Sequence, residues 1–230
     1  FSSGITHATW VAARAPIVCE GHEQTPSNIR EGHRILLIPK DEVCFVDFWP
    51  VHGPRGTASF SFEVDDLFVP EHRVYDPDGM PREDGAIFRI PTTLLFATGF
   101  STVALGIAKA SLNTAIDLAG SKIPGRATRL LQEETTTQRI IGEAEAVWHS
   151  AKAFLREAHA SVWESVTAKE PLTIEKRVKL RLAATFGIQK AKEVVETAYG
   201  LSGSSAILDT NPIQRRFQDI HVVSQHIQGR

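Results

Sequence analysis

The sequence is poor in several residues and patterns that mark large classes of protein. It has two cysteines among 230 residues, too few for a disulfide framework. Neither Cys19 nor Cys44 has partners at a metal-ligand spacing, so we expect both to be buried, reduced thiols. Lysine and arginine number 25 against 27 aspartates and glutamates, which leaves no basic excess to attract nucleic acid.

Long apolar runs and a secretory leader are also lacking. No apolar run approaches the roughly 20 residues that cross a bilayer. The first ten residues lack the basic start and apolar middle of a signal peptide. We therefore expect no membrane partner, no nucleic-acid partner and a cytoplasmic location.

Motifs of several familiar chemistries are missing as well. The sequence has no glycine fingerprint for dinucleotides, no P-loop, no HExxH and no GxSxG. Its nine histidines are scattered and form no metal pair with acids or cysteines. We therefore expect no metal site.

The residues that are present divide the chain into two parts. Nine of the twelve prolines lie in residues 1–91, where acidic residues outnumber basic ones, and the balance reverses from Thr92 onward. This change predicts a β domain over 1–91 and a helical domain over 92–230. The expected fold class is α+β, with a small antiparallel β-barrel or sandwich followed by a C-terminal four-helix bundle.

The first part carries the signals of short strands, in β-branched and aromatic runs between turn residues. Residues 76–85 have no apolar anchor and are predicted to form an exposed loop. The predicted strands cover residues 8–13, 34–38, 43–48 and 58–64.

The second part changes to helical spacing. Residues 93–118 are rich in small side chains, which predicts a tightly packed helix. An apolar stripe running from Ile140 to Val162 predicts the second helix. The third is expected to begin after Pro171, with Thr173 as its cap, and to end before Gly200.

A fourth helix is predicted from Asn211, as cap, with Pro212 at the first helical position. Its apolar face should hold Ile213, Phe217, Ile220 and Ile227, and its polar stripe Gln214, Gln218, His221 and Gln225. A solvated helix face explains this stripe, and so does the polar wall of a cofactor cavity; the helix alone leaves both interpretations open.

Five short stretches resemble the acyl-CoA dehydrogenase superfamily, and within it the flavin-dependent monooxygenase branch. They are residues 1–4 (FSSG), 56–59 (GTAS), 66–70 (DLFVP), 214–220 (QRRFQDI) and 225–227 (QHI). The resemblance implies a central β domain and a C-terminal helical bundle, with the family's N-terminal helical domain missing from this sequence.

The resemblance also separates the two branches. Dehydrogenases of the family need a carboxylate base, which most place eight residues after the aspartate matching Asp219 and some place on the first bundle helix. Those two positions hold Ile227 and Phe96 here. Monooxygenase relatives instead place a histidine on the last helix, which implies His221 as a catalytic residue, with His226 as second choice.

The branch implies an oxygenase component that uses reduced flavin, FMN or FAD, and O2 to hydroxylate an aromatic, phenolic or polycyclic substrate. A separate flavin reductase would supply the reduced flavin, and the protein would work as a homotetramer. Ser2 would place a hydroxyl beside flavin N5 and is the second implied catalytic residue, with Ser3 as the fallback. The implied flavin-binding residues are Ser2, Ser3, Gly4, Gln138, Gly200, Ser202, Gly203, Ser204, Arg215 and His226.

Two alternatives stay open. One is an acyl-CoA dehydrogenase whose base lies elsewhere. The other is a non-catalytic oligomerisation module, since a helical bundle can assemble without chemistry.

Overall fold

The computed structural model describes residues 2–16, 33–46, 49–77 and 79–230. The chain forms two compact units. The first comprises Phe1–Val51 and Arg55–Arg82, and the second comprises His52–Pro54 and Glu83–Arg230. Each unit is described by itself below.

The first unit is built on short antiparallel strands. Strands β1 (Trp10–Pro16) and β2 (His33–Pro39) pair along their full length, and β5 (Val74–Tyr75) pairs with the other edge of β2. Strands β3 (Cys44–Phe45) and β4 (Phe62–Glu63) form a separate two-stranded sheet. In the described part of this unit the strands do not close into a barrel.

The strand predicted over 58–64 is mostly wrong. Only Phe62–Glu63 joins a ladder, and Phe60 makes a single bridge to Ser2. The physical reason is the backbone of Ala58, whose φ of +42° is incompatible with an extended strand. The strand predicted over 43–48 is reduced to Cys44–Phe45, and residues 47–48 lie outside the described part.

One cysteine of the first unit is exposed where the sequence predicted burial. Cys44 is a free, exposed thiol, and both residues of the short strand that carries it are exposed. Cys19 lies outside the described residues. Trp10 is 48% exposed and stacks under the guanidinium of Arg73.

The second unit contains four long helices, as predicted. They are α1 (Thr92–Ala119), α2 (Thr135–Thr167), α3 (Ile174–Ser202) and α4 (Pro212–Gln225). Helix α3 contacts the other three. Its Gly187 lies against Ser101 of α1 so closely that a Cβ would meet the serine Oγ, which explains the small residues of α1.

The predicted helix starts are confirmed by their caps. Thr173 Oγ1 accepts a hydrogen bond from the backbone N–H of Lys176, and Asn211 Oδ1 accepts one from the N–H of Ile213. Both caps satisfy amide groups that the first helical turn leaves without partners.

The predicted ends of the last two helices need correction. Helix α3 continues through Gly200 to Ser202, and Gly203, with φ +56°, is the residue that leaves the helical conformation. Helix α4 ends at Gln225, so Ile227 is not on its apolar face and is 70% exposed.

Residues 83–91 belong with the helices, although the sequence assigned them to the β domain. The physical reason is apolar packing, since Ile90 is part of the helical core and Ala86 packs against it.

Helix α1 is long and apolar enough to cross a membrane by length and composition, a test that the core helix of a soluble protein also passes. Many of its residues lie in the helical core.

Candidate functional site

His221 lies on α4 at the edge of the helical core. The preceding residue, Ile220, is fully buried, and the imidazole is partly covered beside α3. Its Nε2 atom is 3.4 Å from Oε1 of Glu196. This nitrogen is closed to solvent and has no correctly directed hydrogen bond. The imidazole therefore carries a polar atom whose hydrogen-bonding capacity is unused, which is uncommon in folded proteins.

Aromatic rings and the loop around Gly53 cover the same part of α4. The ring of Phe217 is 4.5 Å from that of His221 and 4.4 Å from that of Tyr199, measured between centroids. Gly53 has φ +84°, and a Cβ there would lie 2.9 Å from a backbone carbonyl oxygen of α4, so the approach requires glycine. Residues 217–221 are called the His221 turn below.

His226, the second choice from sequence, has a different role. It lies just after α4, where its Nδ1 accepts a hydrogen bond from the backbone N–H of Gln228. Its ring stacks on Phe100 with 3.9 Å between centroids. Burial, and to a smaller extent the nearby Arg181 guanidinium, lower the pKa of His226. The neutral imidazole thus serves as a structural acceptor, and only its Nε2 is uncommitted.

Residues 226–230, called the docked segment below, are fastened to one face of α3. The Arg181 guanidinium donates to the carbonyl oxygens of Ile227, at 2.6 Å, and Arg230, at 3.2 Å, and to the side chain of Gln228. Two further α3 side chains, Thr185 and Gln189, donate to the carbonyl oxygens of Gln228 and Gly229. Spacing of four residues puts these donors on one stripe of the helix.

The loop predicted to bind flavin runs from Gly200 to Ser204. Its Ser202 forms hydrogen bonds within the protein. The Ser202 hydroxyl is buried and donates to the carbonyl oxygen of Ala198 at 2.8 Å. The ammonium of Lys122 donates to the Ser202 carbonyl oxygen at 2.8 Å, a favourable position for a cation at a helix C-terminus. Gly203 and Ser204 are exposed, and Gly200 is inside α3.

Gln138 and Arg215 are separated from these groups. The Gln138 amide donates to the carbonyl oxygen of Gln132 at 3.0 Å and so stabilises the turn before α2. Arg215 is exposed on α4. It partly offsets the effect of burial on Asp219, whose pKa is raised overall.

The first unit brings together Ser2, Ser3 and Gly4. The Ser2 N–H donates to the carbonyl oxygen of Phe60 at 3.0 Å. The Ser3 hydroxyl is paired with that of Ser59 at 2.7 Å, whereas the Ser2 hydroxyl makes no hydrogen bond to any residue that the structure describes. Gly4, at φ +76°, turns the chain back toward the strand region.

Two grooves lie within the helical unit. The larger, of about 610 Å³, runs between α1 and α2 and is lined by Thr98, Thr102, Leu155, Arg156, His159, Ala160 and Trp163. The smaller, of about 440 Å³, includes Ser205 and Asn211. Over the ranges that the structure describes, no group of three or more His, Cys, Asp or Glu side chains could hold a metal ion.

Glu196 is the functional candidate that sequence reasoning missed. Its Lys192 neighbour one turn earlier, at 3.7 Å, makes it look like an ordinary surface ion-pair residue of α3. Nothing in the sequence indicates that α3 and α4 bring this carboxylate to His221.

Comparisons with known proteins point to one family. A family model described as acyl-CoA dehydrogenase, C-terminal domain, matches residues 98–230. Indole-3-acetate monooxygenase of Pseudomonas putida is 34% identical over 194 residues, which are 84% of this chain and 50% of that protein. The oxygenase subunit HsaA of a flavin-dependent monooxygenase from Rhodococcus jostii is 25% identical over 98% of this chain and 60% of its own length.

A solved structure matches the same fold. XiaF from Streptomyces sp., in complex with FADH2 and glycerol, superposes with a TM-score of 0.85 at 20% identity, over 99% of this chain and 58% of that one. The chain thus spans between half and about three fifths of the length of these proteins.

Proposed function

The chain belongs to the acyl-CoA dehydrogenase family, matched through its C-terminal domain, and on that premise we propose that it is the oxygenase component of a two-component flavin-dependent monooxygenase. The observation that carries this proposal is the 34% identity to indole-3-acetate monooxygenase. The substrate class is an aromatic or polycyclic compound with a ring hydroxyl or comparable activating group. The partner is a flavin reductase that delivers reduced flavin.

The cofactor is reduced flavin, either FMN or FAD. When bound, it supplies the two electrons with which O2 transfers one oxygen atom to the substrate ring and releases the other as water. The donor set fits such a group, because the chain retains polar atoms with unused hydrogen-bonding capacity.

In the helical unit that capacity belongs to His221. Its Nε2 is shielded from solvent and lacks an aligned partner, and one face of its ring is covered by Phe217. A histidine whose ring is not held in a satisfied hydrogen-bond network can offer a ring nitrogen to a bound ligand. His226 makes a poorer candidate because its Nδ1 is already an acceptor for Gln228.

In the first unit the corresponding group is the Ser2 hydroxyl. A hydroxyl both donates and accepts, so it can bind a flavin ring nitrogen in either protonation state. Ser3 is the weaker candidate since its hydroxyl is paired with Ser59. Of the other flavin contacts inferred from the resemblance, Gly203, Ser204 and Arg215 have exposed polar groups for this role, whereas Ser202 and Gln138 have theirs committed.

A homotetramer and a cytoplasmic location complete the proposal. The exposed apolar side chains at Ile174, Val178 and Leu182, spaced by four on α3, support self-association, because such a stripe is typical of helix packing between subunits.

A second candidate function has one observation in its favour. The family's acid positions hold Ile227 and Phe96, but Glu196 brings a carboxylate to His221. An acyl-CoA dehydrogenase with a relocated base would use that carboxylate to remove the proton α to the thioester. The monooxygenase function predicts that reduced flavin on the chain reacts productively with O2. The dehydrogenase function predicts that oxidised flavin on the chain is reduced by acyl-CoA.

The test is to bind reduced FMN or FAD to the chain without oxygen, then add O2 with an aromatic substrate. Hydroxylated product formed in proportion to flavin oxidised supports the monooxygenase, and oxidised flavin reduced by acyl-CoA under anaerobic conditions supports the dehydrogenase. If neither flavin binds, the oligomerisation module is favoured.

A matched pair of variants sharpens this test. We expect Ser2→Ala to weaken flavin binding or coupling about fivefold, the value of one hydrogen bond of about 1 kcal/mol. Ser3→Ala, which removes a hydroxyl already paired within the protein, should change either quantity less than Ser2→Ala. Equal effects would remove Ser2 from the proposal.

A further inference from the structure

His221 and Glu196 face each other at the contact of α3 and α4. Nε2 of the histidine is 3.4 Å from Oε1 of the glutamate, within ion-pair range and slightly beyond an ideal hydrogen bond. Each side chain is partly covered, with 35% of the His221 side chain and 46% of the Glu196 side chain exposed.

Two further side chains lie beside the pair, and the imidazole is the nearer of the two nitrogen groups that face Glu196 Oε1. Phe217, one turn before His221, presents an aromatic ring that neither donates nor accepts strongly. The ammonium of Lys192 is 3.7 Å from the same Oε1 atom of Glu196. The oxygen atoms of a carboxylate accept hydrogen bonds from such donors.

A carboxylate that accepts from one ring nitrogen fixes the histidine tautomer. With the proton of neutral His221 held at Nε2 toward Glu196, the lone pair is at Nδ1. We propose that Glu196 is a positioning residue that holds His221 in this tautomer and orientation, so that Nδ1 is the proton acceptor of the reaction. This inference rests on the proposed monooxygenase function.

The proton balance is simple. The hydroxyl of a bound aromatic gives its proton to Nδ1 and becomes a phenolate, which is a more reactive ring toward oxygen transfer. His221 then carries protons on both nitrogens, and its positive charge faces the Glu196 carboxylate. Glu196 itself neither gains nor loses a proton, in keeping with a group that acts through its neighbour.

The pairing is tested on the chain itself, without flavin, by NMR of protein labelled with 15N-histidine. The measured quantity is the rate at which the Nε2 proton of His221 exchanges with water, with His221→Gln used to assign the signal. In the unaltered chain this proton should be visible and bonded to Nε2. Glu196→Ala should speed its exchange at least about tenfold, the effect of losing a hydrogen bond to a charged group.

Two variants control the result. Glu196→Gln keeps an acceptor oxygen and should recover most of the slow exchange. Glu193→Ala removes the carboxylate one turn earlier, which pairs with Lys190, and should leave the exchange rate unchanged. An exchange rate in Glu196→Ala equal to that of the unaltered chain, or a proton found at Nδ1 in the unaltered chain, overturns the proposal.

A second measurement links the pair to turnover and separates the two proposals. Glu196→Ala should lower kcat for hydroxylation about tenfold with little change in KM, and Glu196→Gln should restore part of it. Unchanged kcat in a chain that hydroxylates overturns the positioning role and leaves the monooxygenase function standing. If Glu196→Ala speeds exchange of the Nε2 proton but the unaltered chain never hydroxylates a substrate, the pairing of His221 with Glu196 is supported. The catalytic role of the pair and the proposed monooxygenase function are then both overturned.

Discussion

The His221 turn and the docked segment are neighbours along the chain, and they use their polar groups in opposite ways. In the docked segment four backbone carbonyl groups and the Gln228 side chain receive hydrogen bonds from α3. In the His221 turn the imidazole Nε2 faces a carboxylate without an aligned hydrogen bond. A satisfied network stabilises the fold, whereas an unused donor or acceptor is available to a ligand.

The two histidines show the same difference in one residue type. His226 is held by a backbone amide and stacked on Phe100, so its replacement should affect stability. His221 faces the Glu196 carboxylate at 3.4 Å without an aligned hydrogen bond, so its replacement should affect function more than stability. Position in a polar stripe therefore matters less than whether the hydrogen bonds of the side chain are already made.

The largest expected effect comes from Arg181, whose loss tests whether the docked segment is structural. Arg181→Ala leaves the Gln228 side chain, which is buried, and the carbonyl groups of Ile227 and Arg230 without their donor. We expect a loss of about 2 kcal/mol in the free energy of unfolding, the cost of removing charged hydrogen bonds from partly buried acceptors. Urea denaturation measures it.

Arg177→Ala is the matched control, because this arginine is exposed one turn earlier on α3 and its side chain makes no hydrogen bond or ion pair among the residues described. A similar loss of stability in both variants would mean that the docked segment contributes nothing of its own. The contrast with the His221 turn would then disappear.

A smaller effect should come from the protonation of His226. Its folded pKa lies below the ordinary value of 6.5, chiefly because of burial. The unfolded chain therefore binds this proton more readily, so the contribution of His226 is fully present above pH 6.5 and is lost as the pH falls through 6.5 toward the lowered pKa. Protonation also removes the Nδ1 acceptor of Gln228.

The direction of this pH dependence can be checked by measuring the free energy of unfolding of the unaltered chain and of His226→Gln between pH 8 and pH 5. This interval covers about 1.5 pH units on either side of the reference histidine pKa. The unaltered chain should lose more stability than the variant on acidification. A parallel course of the two curves would show that the docked segment does not sense this proton.

How much of this could be read from sequence depends on how local the deciding contacts are. The starts of α3 and α4 were predicted correctly because Thr173 and Asn211 cap amides two or three residues away. The end of α3 was predicted wrongly because Gly200 stays helical and the chain leaves the helix at Gly203, whose φ is +56°. Lys122, which lies 80 residues away in sequence, binds the carbonyl oxygen of Ser202 at this end, a contact that the local pattern does not reveal.

The candidate site follows the same rule. His221 and Ser2 were predicted from the resemblance because it rests on short local motifs, and their role stays a prediction. Glu196 was missed because its meaning arises only when α3 and α4 pack together. His226 was ranked as a flavin contact because no pattern reveals a stacking partner such as Phe100 on α1.

The smallest expected effect belongs to Asp219, in the His221 turn itself. Partial burial raises the pKa of this carboxyl group, and Arg215 offsets only part of that rise. The folded state therefore holds its proton more tightly than the unfolded chain does. Stability falls as the pH rises from the ordinary value of 3.8 through the raised pKa, and the full cost is present above it.

Asp219→Asn removes the charge and keeps the size of the side chain, so it should raise the free energy of unfolding slightly at neutral pH and lose that advantage in acid. Asp209→Asn, at an exposed position before α4, should produce no such gain. Chemical denaturation at two pH values measures the unfolding free energy of both variants. One is pH 7, about three pH units above the ordinary aspartate pKa, and the other is pH 4, close to that pKa. A rise in the free energy of unfolding in both variants would come from the change in net charge. The partly buried Asp219 carboxyl group would then not destabilise the His221 turn. A gain confined to Asp219 would mean that this turn gives up stability to keep its polar groups uncommitted, in contrast to the docked segment next to it.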